Sequence, residues 1–180
     1  MLLVIDNGSI YTNNLIDFLK NKKITFEKQT PELVNLESLH VYNSFILSGR
    51  RKNEKRTNEI NSKIINHAIK KNKKLLGICY GAEILALTLG GTIRKLDLPQ
   101  KGNEQIYIQR ENSLYNSDLK VFESHGFEIA KLPKILLVIG ESENCRFEII
   151  QYGQKPIFGT QFHPEMSEDG KSLILKFCLL

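Results

Sequence analysis

The residues best suited to chemistry form the segment Gly77-Ile78-Cys79-Tyr80-Gly81. An apolar pair, Leu75-Leu76, precedes it, and a run of helix-forming residues that ends at Gly90-Gly91 follows it. A cysteine between two glycines at a strand-to-helix turn is typical of a nucleophile, because the glycines permit a tight turn and leave space above the thiol. The positive end of the following helix would favour the thiolate. A buried cysteine between two turn glycines fits this segment equally well when it is taken alone.

A second segment supplies the partners that a nucleophilic thiol needs. Residues 156–162 are predicted to form a strand that leads into His163-Pro164-Glu165. A cysteine nucleophile requires a general base within hydrogen-bond reach, and that base requires a third group that fixes its tautomer. His163 and Glu165 provide both, and Pro164 stiffens the backbone between them. The order Cys…His-x-Glu therefore predicts a catalytic triad of Cys79, His163 and Glu165.

The elements that must position these motifs alternate between strands and helices. In the first half, strands are predicted at 2–5, 24–28, 44–47 and 75–78, and helices at 14–21 and from the N-cap Thr57 to residue 69. This β-α-β order predicts an α/β fold with a mostly parallel central sheet, helices on both faces and ligand sites at the carboxyl ends of the strands. Shorter strands at 105–109, 119–123, 135–140, 146–152 and 156–162 predict an antiparallel extension, and residues 170–179 a closing helix.

The composition fits one soluble globular domain over residues 1–180. Hydrophobic residues make up 41% and charged residues 25%, without an apolar run that suggests a membrane span or a signal peptide. Three scattered cysteines argue against a disulfide framework, so a cytoplasmic location is expected. The net charge of +5 comes from short basic runs without interleaved aromatic residues, which indicates solvated surfaces and no nucleic-acid binding.

Two of these segments, GICYG and FGTQFHPE, resemble the catalytic motifs of the class I (triad) glutamine amidotransferases. Residues 3–8, 46–49 and 89–91 are also similar to that family. Tyr80 and Ser124-His125-Gly126 are most similar to the branch that provides the amidotransferase subunit of two-subunit GMP synthases. The resemblance implies a flavodoxin-like fold and hydrolysis of the glutamine side-chain amide through a thioester on Cys79. The ammonia released would pass to a separate synthetase subunit.

The resemblance also implies roles for the remaining site residues. The backbone N–H groups of Tyr80 and Arg50 would form the oxyanion hole, where losing one donor typically costs about 10²–10³ in rate. Gly49, Glu83 and a turn formed by Ser124, His125 and Gly126 would bind the substrate. The His125 side chain itself is expected to be a satisfied loop histidine, because only the backbone of that turn would line the pocket.

The chain departs from the family pattern at three positions of the site. Ser-Gly-Gly-Pro of the family is Ser48-Gly49-Arg50-Arg51 here, so a β-carbon at Arg50 is expected to strain the backbone. Glu83 replaces a glutamine that helps to bind the substrate, and its charge would disfavour a nearby thiolate. Phe127 stands where the Ser-His-Gly-Asp motif has its aspartate.

The sequence contains no P-loop, so the chain is not expected to activate a nucleotide acceptor itself. No metal and no cofactor are expected in this chain. The predicted partner is an ATP pyrophosphatase subunit, which would use ATP and magnesium to activate xanthosine monophosphate. Two other functions remain open: an amidotransferase or γ-glutamyl hydrolase for another acceptor, and a catalytically weak regulator or scaffold. The intact triad favours an enzyme, whereas Arg50 and Glu83 keep the regulator or scaffold open.

Overall fold

The computed structural model describes residues 1–180, in which short buried strands alternate with helices before a more extended second half. The strands are β1 (Leu2–Ile5), β2 (Phe26–Gln29), β3 (Ser44–Leu47), β4 (Lys74–Ile78), β5 (Thr92–Ile108), β6 (Leu119–Lys131), β7 (Leu136–Glu141), β8 (Ile149–Tyr152) and β9 (Ile157–Thr160). The helices are α1 (Thr12–Asn21), α2 (Lys55–Lys71), α3 (Tyr80–Thr88) and α4 (Glu168–Leu179), with short 3₁₀ helices at Pro31–Leu33, Leu36–Val41 and Pro164–Met166.

The strands form a nine-stranded sheet in the order β2-β1-β3-β4-β9-β8-β7-β5-β6. The first five strands are parallel to their neighbours, and every pair from β9 to β6 is antiparallel. This arrangement confirms the predicted α/β class with its parallel centre and antiparallel extension. In the parallel part of the sheet, the carboxyl ends of β3 and β4 lie side by side, at the edge where open α/β sheets place their ligands.

Alternating side chains divide the core between the two faces of the sheet. Leu2 and Val4 belong to a cluster that packs with α1 and α4, and Leu3 and Ile5 to one that packs with α2 and α3. The strands β1 and β3 are buried along their full length, which explains why their sequences are so largely apolar. None of the helices combines the length and the apolar character needed to cross a membrane.

The start of α2 differs from the prediction. The helix begins at Lys55, with Glu54 as its N-cap residue, so the prediction that Thr57 caps the helix is wrong. Thr57 is buried inside the first turn, and its carbonyl accepts a hydrogen bond of 2.8 Å from Asn61 Nδ2. Lys55 and Arg56 are good helix formers, which extends the helix by nearly a full turn toward its N-terminus.

The largest difference lies in the long pair β5 and β6. Pairing runs from Thr92 opposite Lys131 to Ile106 opposite Leu119, with an irregularity between Lys95 and Gln100. The sequence predicts only the end of β5 and the start of β6, at 105–109 and 119–123. Most of β5 is solvent-exposed and lacks apolar alternation. The predicted turn at Ser124, His125 and Gly126 is therefore wrong, since these residues lie in the middle of β6.

Candidate active site

Cys79 occupies a strained turn between β4 and α3. Its backbone has φ 51° and ψ −106°, a conformation that non-glycine residues seldom adopt. Both flanking glycines are required by close approach: a β-carbon on Gly81 would overlap the Leu47 carbonyl oxygen, and one on Gly77 would overlap the Gly81 carbonyl oxygen. The Cys79 N–H donates to the Thr160 carbonyl of β9 at 2.7 Å. The chain thus holds the thiol at the ends of two neighbouring parallel strands.

His163 and Glu165 follow β9 and form a closed pair. His163 Nδ1 lies 2.8 Å from Glu165 Oε1, and both side chains are buried. Because an ionised carboxylate only accepts hydrogen bonds, this contact places the imidazole proton on Nδ1 and leaves Nε2 as the basic nitrogen. The backbone N–H of His163 donates to the Phe122 carbonyl, and the Tyr11 ring packs edge-on at 4.6 Å from the imidazole.

The thiol and the imidazole reach the same end of the sheet without a hydrogen bond between them. Ile78 of β4 pairs in register with Thr160 of β9, so Cys79 and His163 follow adjacent strand ends. No hydrogen bond joins Cys79 Sγ to His163 in this structure. Catalytic hydrogen bonds of free enzymes are often long and tighten only when the substrate binds.

The electrostatics of Cys79 differ from the sequence prediction. Burial raises the pKa of the thiol well above its ordinary value, the negative charges of Glu83 and Glu123 raise it further, and a hydrogen bond from the Tyr80 N–H lowers it. The predicted effect of the helix N-terminus therefore has the expected sign, but desolvation outweighs it. Burial therefore disfavours the thiolate at Cys79, so attack on a substrate has to be coupled to transfer of the thiol proton to a base.

Arg50 lies in the loop after β3 and contacts α3 through its side chain. The guanidinium carbon lies 4.2 Å from the centre of the Tyr80 ring, and Nη1 donates to Asn53 Oδ1 at 2.7 Å and to Asn58 Oδ1 at 3.0 Å. The Arg50 backbone pairs with Gly8 in an isolated bridge and does not have a positive φ. The predicted backbone strain at Arg50 is therefore absent.

A partly buried network of amide hydrogen bonds holds the loop that precedes Arg50. The Asn7 N–H donates to Ser48 Oγ and Asn7 Nδ2 donates to the Ser48 carbonyl, both at 2.9 Å, while Asn61 Nδ2 donates to Asn7 Oδ1 at 2.8 Å. The sequence analysis missed Asn61. Its signal was a polar residue on the apolar face of α2, where it is fully buried.

A cavity of about 280 Å³ opens above the thiol. Its lining combines predicted site residues with part of the basic loop: Arg50, Arg51, Lys52, Asn53, Cys79, Tyr80, Glu83, Ser124, His125, Gly126 and Phe127. Gly49, His163 and Glu165 lie outside this lining. Gly49 packs beside the imidazole, since a β-carbon there would come within 2.9 Å of His163 Cε1.

Glu83 is buried in the first turn of α3. Gln161 Nε2 donates to its Oε1 at 3.4 Å. Burial raises the pKa of the Glu83 carboxyl, and the positive charge of Arg50 is the largest opposing influence. The residue therefore carries a carboxylate that the fold itself leaves only weakly compensated.

His125 is not a loop residue, and it belongs to an acidic cluster that the sequence analysis missed. His125 Nε2 lies 3.1 Å from Glu123 Oε2, and Nδ1 contacts the Phe127 carbonyl at 2.8 Å. Burial raises the pKa of Glu123 to about 7, and burial together with Glu123 raises the pKa of Glu148. Alternation along β6 could have predicted this cluster, because it places Glu123 and His125 on the inward face of the strand.

Comparisons with known proteins agree with this geometry. The family model for class-I glutamine amidotransferases matches residues 3–179. The chain is 29% identical to a glutamine-hydrolyzing GMP synthase subunit of Methanocaldococcus jannaschii, over 99% of this chain and 96% of the relative. It is 30% identical to the subunit of the same name from Methanococcus aeolicus, again over 99% of this chain and 96% of the relative.

Solved structures show the same fold. A putative GMP synthase subunit from Thermoplasma acidophilum superposes with a TM-score of 0.86 at 24% identity, over 98% of this chain and 91% of that one. A glutamine amidotransferase from Thermotoga maritima has a TM-score of 0.78 at 22% identity, over 97% of this chain and 80% of that one. The family match covers nearly every residue, from β1 to α4. The chain therefore belongs to the class-I glutamine amidotransferase family.

Proposed function

We propose that this chain is the amidotransferase subunit of a two-subunit GMP synthase and that it hydrolyses glutamine to supply ammonia to a separate synthetase subunit. The observation that carries the chemistry is Cys79 at a strained turn, with the His163–Glu165 pair at the adjacent strand end. The similarity over almost the whole chain to proteins named as GMP synthase subunits supports the choice of acceptor. In this proposal residues 1–180 form a single amidotransferase domain.

The reaction begins with transfer of the thiol proton from Cys79 to His163 Nε2. The thiolate attacks the side-chain carbonyl carbon of glutamine, and the backbone N–H groups of Tyr80 and Arg50 stabilise the resulting oxyanion. His163 then returns its proton to the nitrogen as the C–N bond breaks, which releases ammonia and leaves a γ-glutamyl thioester on Cys79. Glu165 holds the imidazole orientation and stabilises its charged form during each transfer.

The second half of the reaction regenerates the thiol. His163 Nε2 removes a proton from water, which attacks the thioester carbonyl through a second oxyanion. The C–S bond breaks, glutamate leaves, and the proton returns to Cys79. The raised pKa of the Cys79 thiol means that its proton transfer to His163 depends on a bound substrate that brings the reacting groups together.

The glutamine occupies the cavity above Cys79. Glu83 and the β6 backbone at Ser124, His125 and Gly126 contact its α-amino-acid end, while its amide points toward the thiol. The absence of a side chain at Gly49 leaves the space that the imidazole occupies.

The separate partner in this proposal is an ATP pyrophosphatase subunit. That protein binds ATP and magnesium and activates xanthosine monophosphate, while this chain uses no cofactor. Phe127 is an exposed apolar side chain at the cavity, which a docked subunit would cover. All three cysteines are free, which fits the reducing cytoplasm.

The test measures glutamine hydrolysis by the purified chain, first alone and then with the synthetase subunit, ATP, magnesium and xanthosine monophosphate. We expect low activity alone and a rise in kcat on assembly, because no hydrogen bond joins Cys79 to His163 in the free chain and completing that contact acts in the transition state. Cys79→Ser should abolish glutamine-dependent GMP formation while leaving ammonium-dependent formation intact. An active chain that never couples to this synthetase would indicate another acceptor, and an inactive chain that still binds it would indicate a regulator.

A further inference from the structure

Two opposite charges enter the same cavity from different elements. Arg50 comes from the loop after β3 and Glu83 from the first turn of α3, and both line the space above Cys79. They also occupy the positions where this chain departs from the Gly and Gln of the family motifs. One cavity therefore holds a cationic and an anionic side chain, which suits a ligand that carries both charges.

The Arg50 side chain is fixed, yet much of its hydrogen-bonding capacity is free. Its Nη1 uses both hydrogens, on Asn53 and Asn58, and its guanidinium carbon lies over the Tyr80 ring. Tyr80 in turn donates its hydroxyl to Asn58 Oδ1 at 2.8 Å. The Nε and Nη2 atoms make no hydrogen bond to the protein. These atoms form the fork that binds a carboxylate through two parallel hydrogen bonds.

Glu83 has a free oxygen to match. Its Oε1 accepts one long hydrogen bond from Gln161. Its Oε2 accepts no hydrogen bond and is not sealed off from solvent. The side chain is only 4% exposed, so its charge is costly without a cationic partner. No ion pair joins Glu83 to Arg50. Arg50 Nε and Nη2 and Glu83 Oε2 are therefore available to bind a ligand in the cavity.

We infer that Arg50 binds the α-carboxylate and Glu83 the α-ammonium of the substrate, so that the site selects free α-amino acids that carry a γ-carboxamide. This inference rests on the proposed function and adds a side-chain role for Arg50. A glutamine within a peptide lacks both terminal charges and would leave Arg50 and Glu83 unpaired, which hydrogen-bonding sites penalise strongly.

Charge pairing at Glu83 also serves the chemistry. The Glu83 carboxylate is one of the groups that hold the thiol in its protonated form. An ammonium group bound to Glu83 offsets that negative charge one helical turn from Cys79. The correct substrate therefore favours ionisation of the nucleophile at the moment it arrives.

Binding of three ligands to the Cys79→Ser chain, measured by calorimetry, tests the inference: L-glutamine, L-glutaminamide, which lacks the α-carboxylate charge, and 4-carbamoylbutanoate, which lacks the α-ammonium. Arg50→Met should weaken glutamine binding about 10-fold to 100-fold and leave glutaminamide binding unchanged. Glu83→Gln should weaken glutamine binding to a similar degree and leave 4-carbamoylbutanoate binding unchanged. Arg56→Met, a charge removal at an exposed residue of α2 that does not line the cavity, should change none of the three affinities.

The ligand comparison separates recognition from damage to the loop. If Arg50→Met weakens glutamine and glutaminamide by the same factor, or weakens neither, the inference is wrong. Arg50→Lys supplies a second check, because it keeps the charge and should recover part of the glutamine affinity but not the bidentate geometry. Failure of the parent chain to bind glutamine at all would instead overturn the proposed function, and the inference with it.

Discussion

Replacing Glu165 with glutamine should disable the site while preserving its shape. The substitution keeps the volume of a fully buried side chain and removes only its charge. If the new amide turns its oxygen toward His163 Nδ1, the tautomer is kept but the charged imidazole loses its counter-ion. If the amide turns its NH₂ toward Nδ1, the imidazole proton must move to Nε2, and the base is lost.

The magnitude follows from the contact distance. A hydrogen bond of 2.8 Å between Nδ1 and Oε1 places the two charges close together when the imidazole is protonated. At a separation of about 4 Å and an effective dielectric constant of about 20, the pair is worth about 4 kcal/mol. Loss of that energy in the transition state corresponds to a fall of about 10³ in kcat. KM should change little, because Glu165 does not line the cavity.

The assay is glutamate formation from glutamine by the assembled enzyme, with kcat and KM determined separately. Glu168→Gln is the matched control, because Glu168 is exposed at the start of α4 and its charge pairs only with Lys171. This control should retain wild-type activity. A kcat of Glu165→Gln within 10-fold of the wild-type value would refute the assigned role of the carboxylate.

Two further predictions concern the fold around the site. Gly81→Ala should lower the melting temperature and reduce kcat, because its β-carbon overlaps the Leu47 carbonyl and overpacking costs about 1–3 kcal/mol; a wild-type melting curve would contradict this. Glu123 should make folding pH-dependent, because its pKa rises from 4.5 to about 7 and the native state therefore holds an extra proton between those values. The free energy of unfolding should fall as the pH rises through that range. Urea unfolding at pH 5 and at pH 8 should show a smaller difference between the two free energies for Glu123→Gln than for the wild type. Equal falls in both proteins would show that Glu123 does not carry this dependence.

The sequence was sufficient for the parts of the fold that local patterns determine. β1 and β3 are short, fully buried and largely apolar, and their predicted limits agree with the structure. The start of α3 at Tyr80 was also predictable, because Gly77 and Gly81 mark the turn between strand and helix. The part of β5 before residue 105 was not predictable, since a mostly exposed strand has little hydrophobic periodicity.

The features of the site that could not be predicted depend on contacts between distant residues. The contact of the Arg50 guanidinium with the Tyr80 ring joins the loop after β3 to the start of α3, and the Asn7–Asn61 amide pair joins residues 54 positions apart. The raised pKa of Cys79 likewise reflects its burial and the surrounding carboxylates, of which Glu123 was not expected from the sequence. Such features follow from tertiary packing, which no local motif encodes.

Covalent labelling by a glutamine-shaped chloroketone or diazo-ketone tests the central claim most directly, because it requires no partner protein. Burial raises the pKa of all three thiols, and it raises that of Cys178 least, to about 11, so ionisation alone would not favour Cys79. The account predicts one label per chain, mapped by mass spectrometry to Cys79, with protection by glutamine and no label on Cys79→Ser. Equal labelling of Cys79, Cys145 and Cys178, or labelling that persists in Cys79→Ser, would contradict the assignment of Cys79 as the nucleophile.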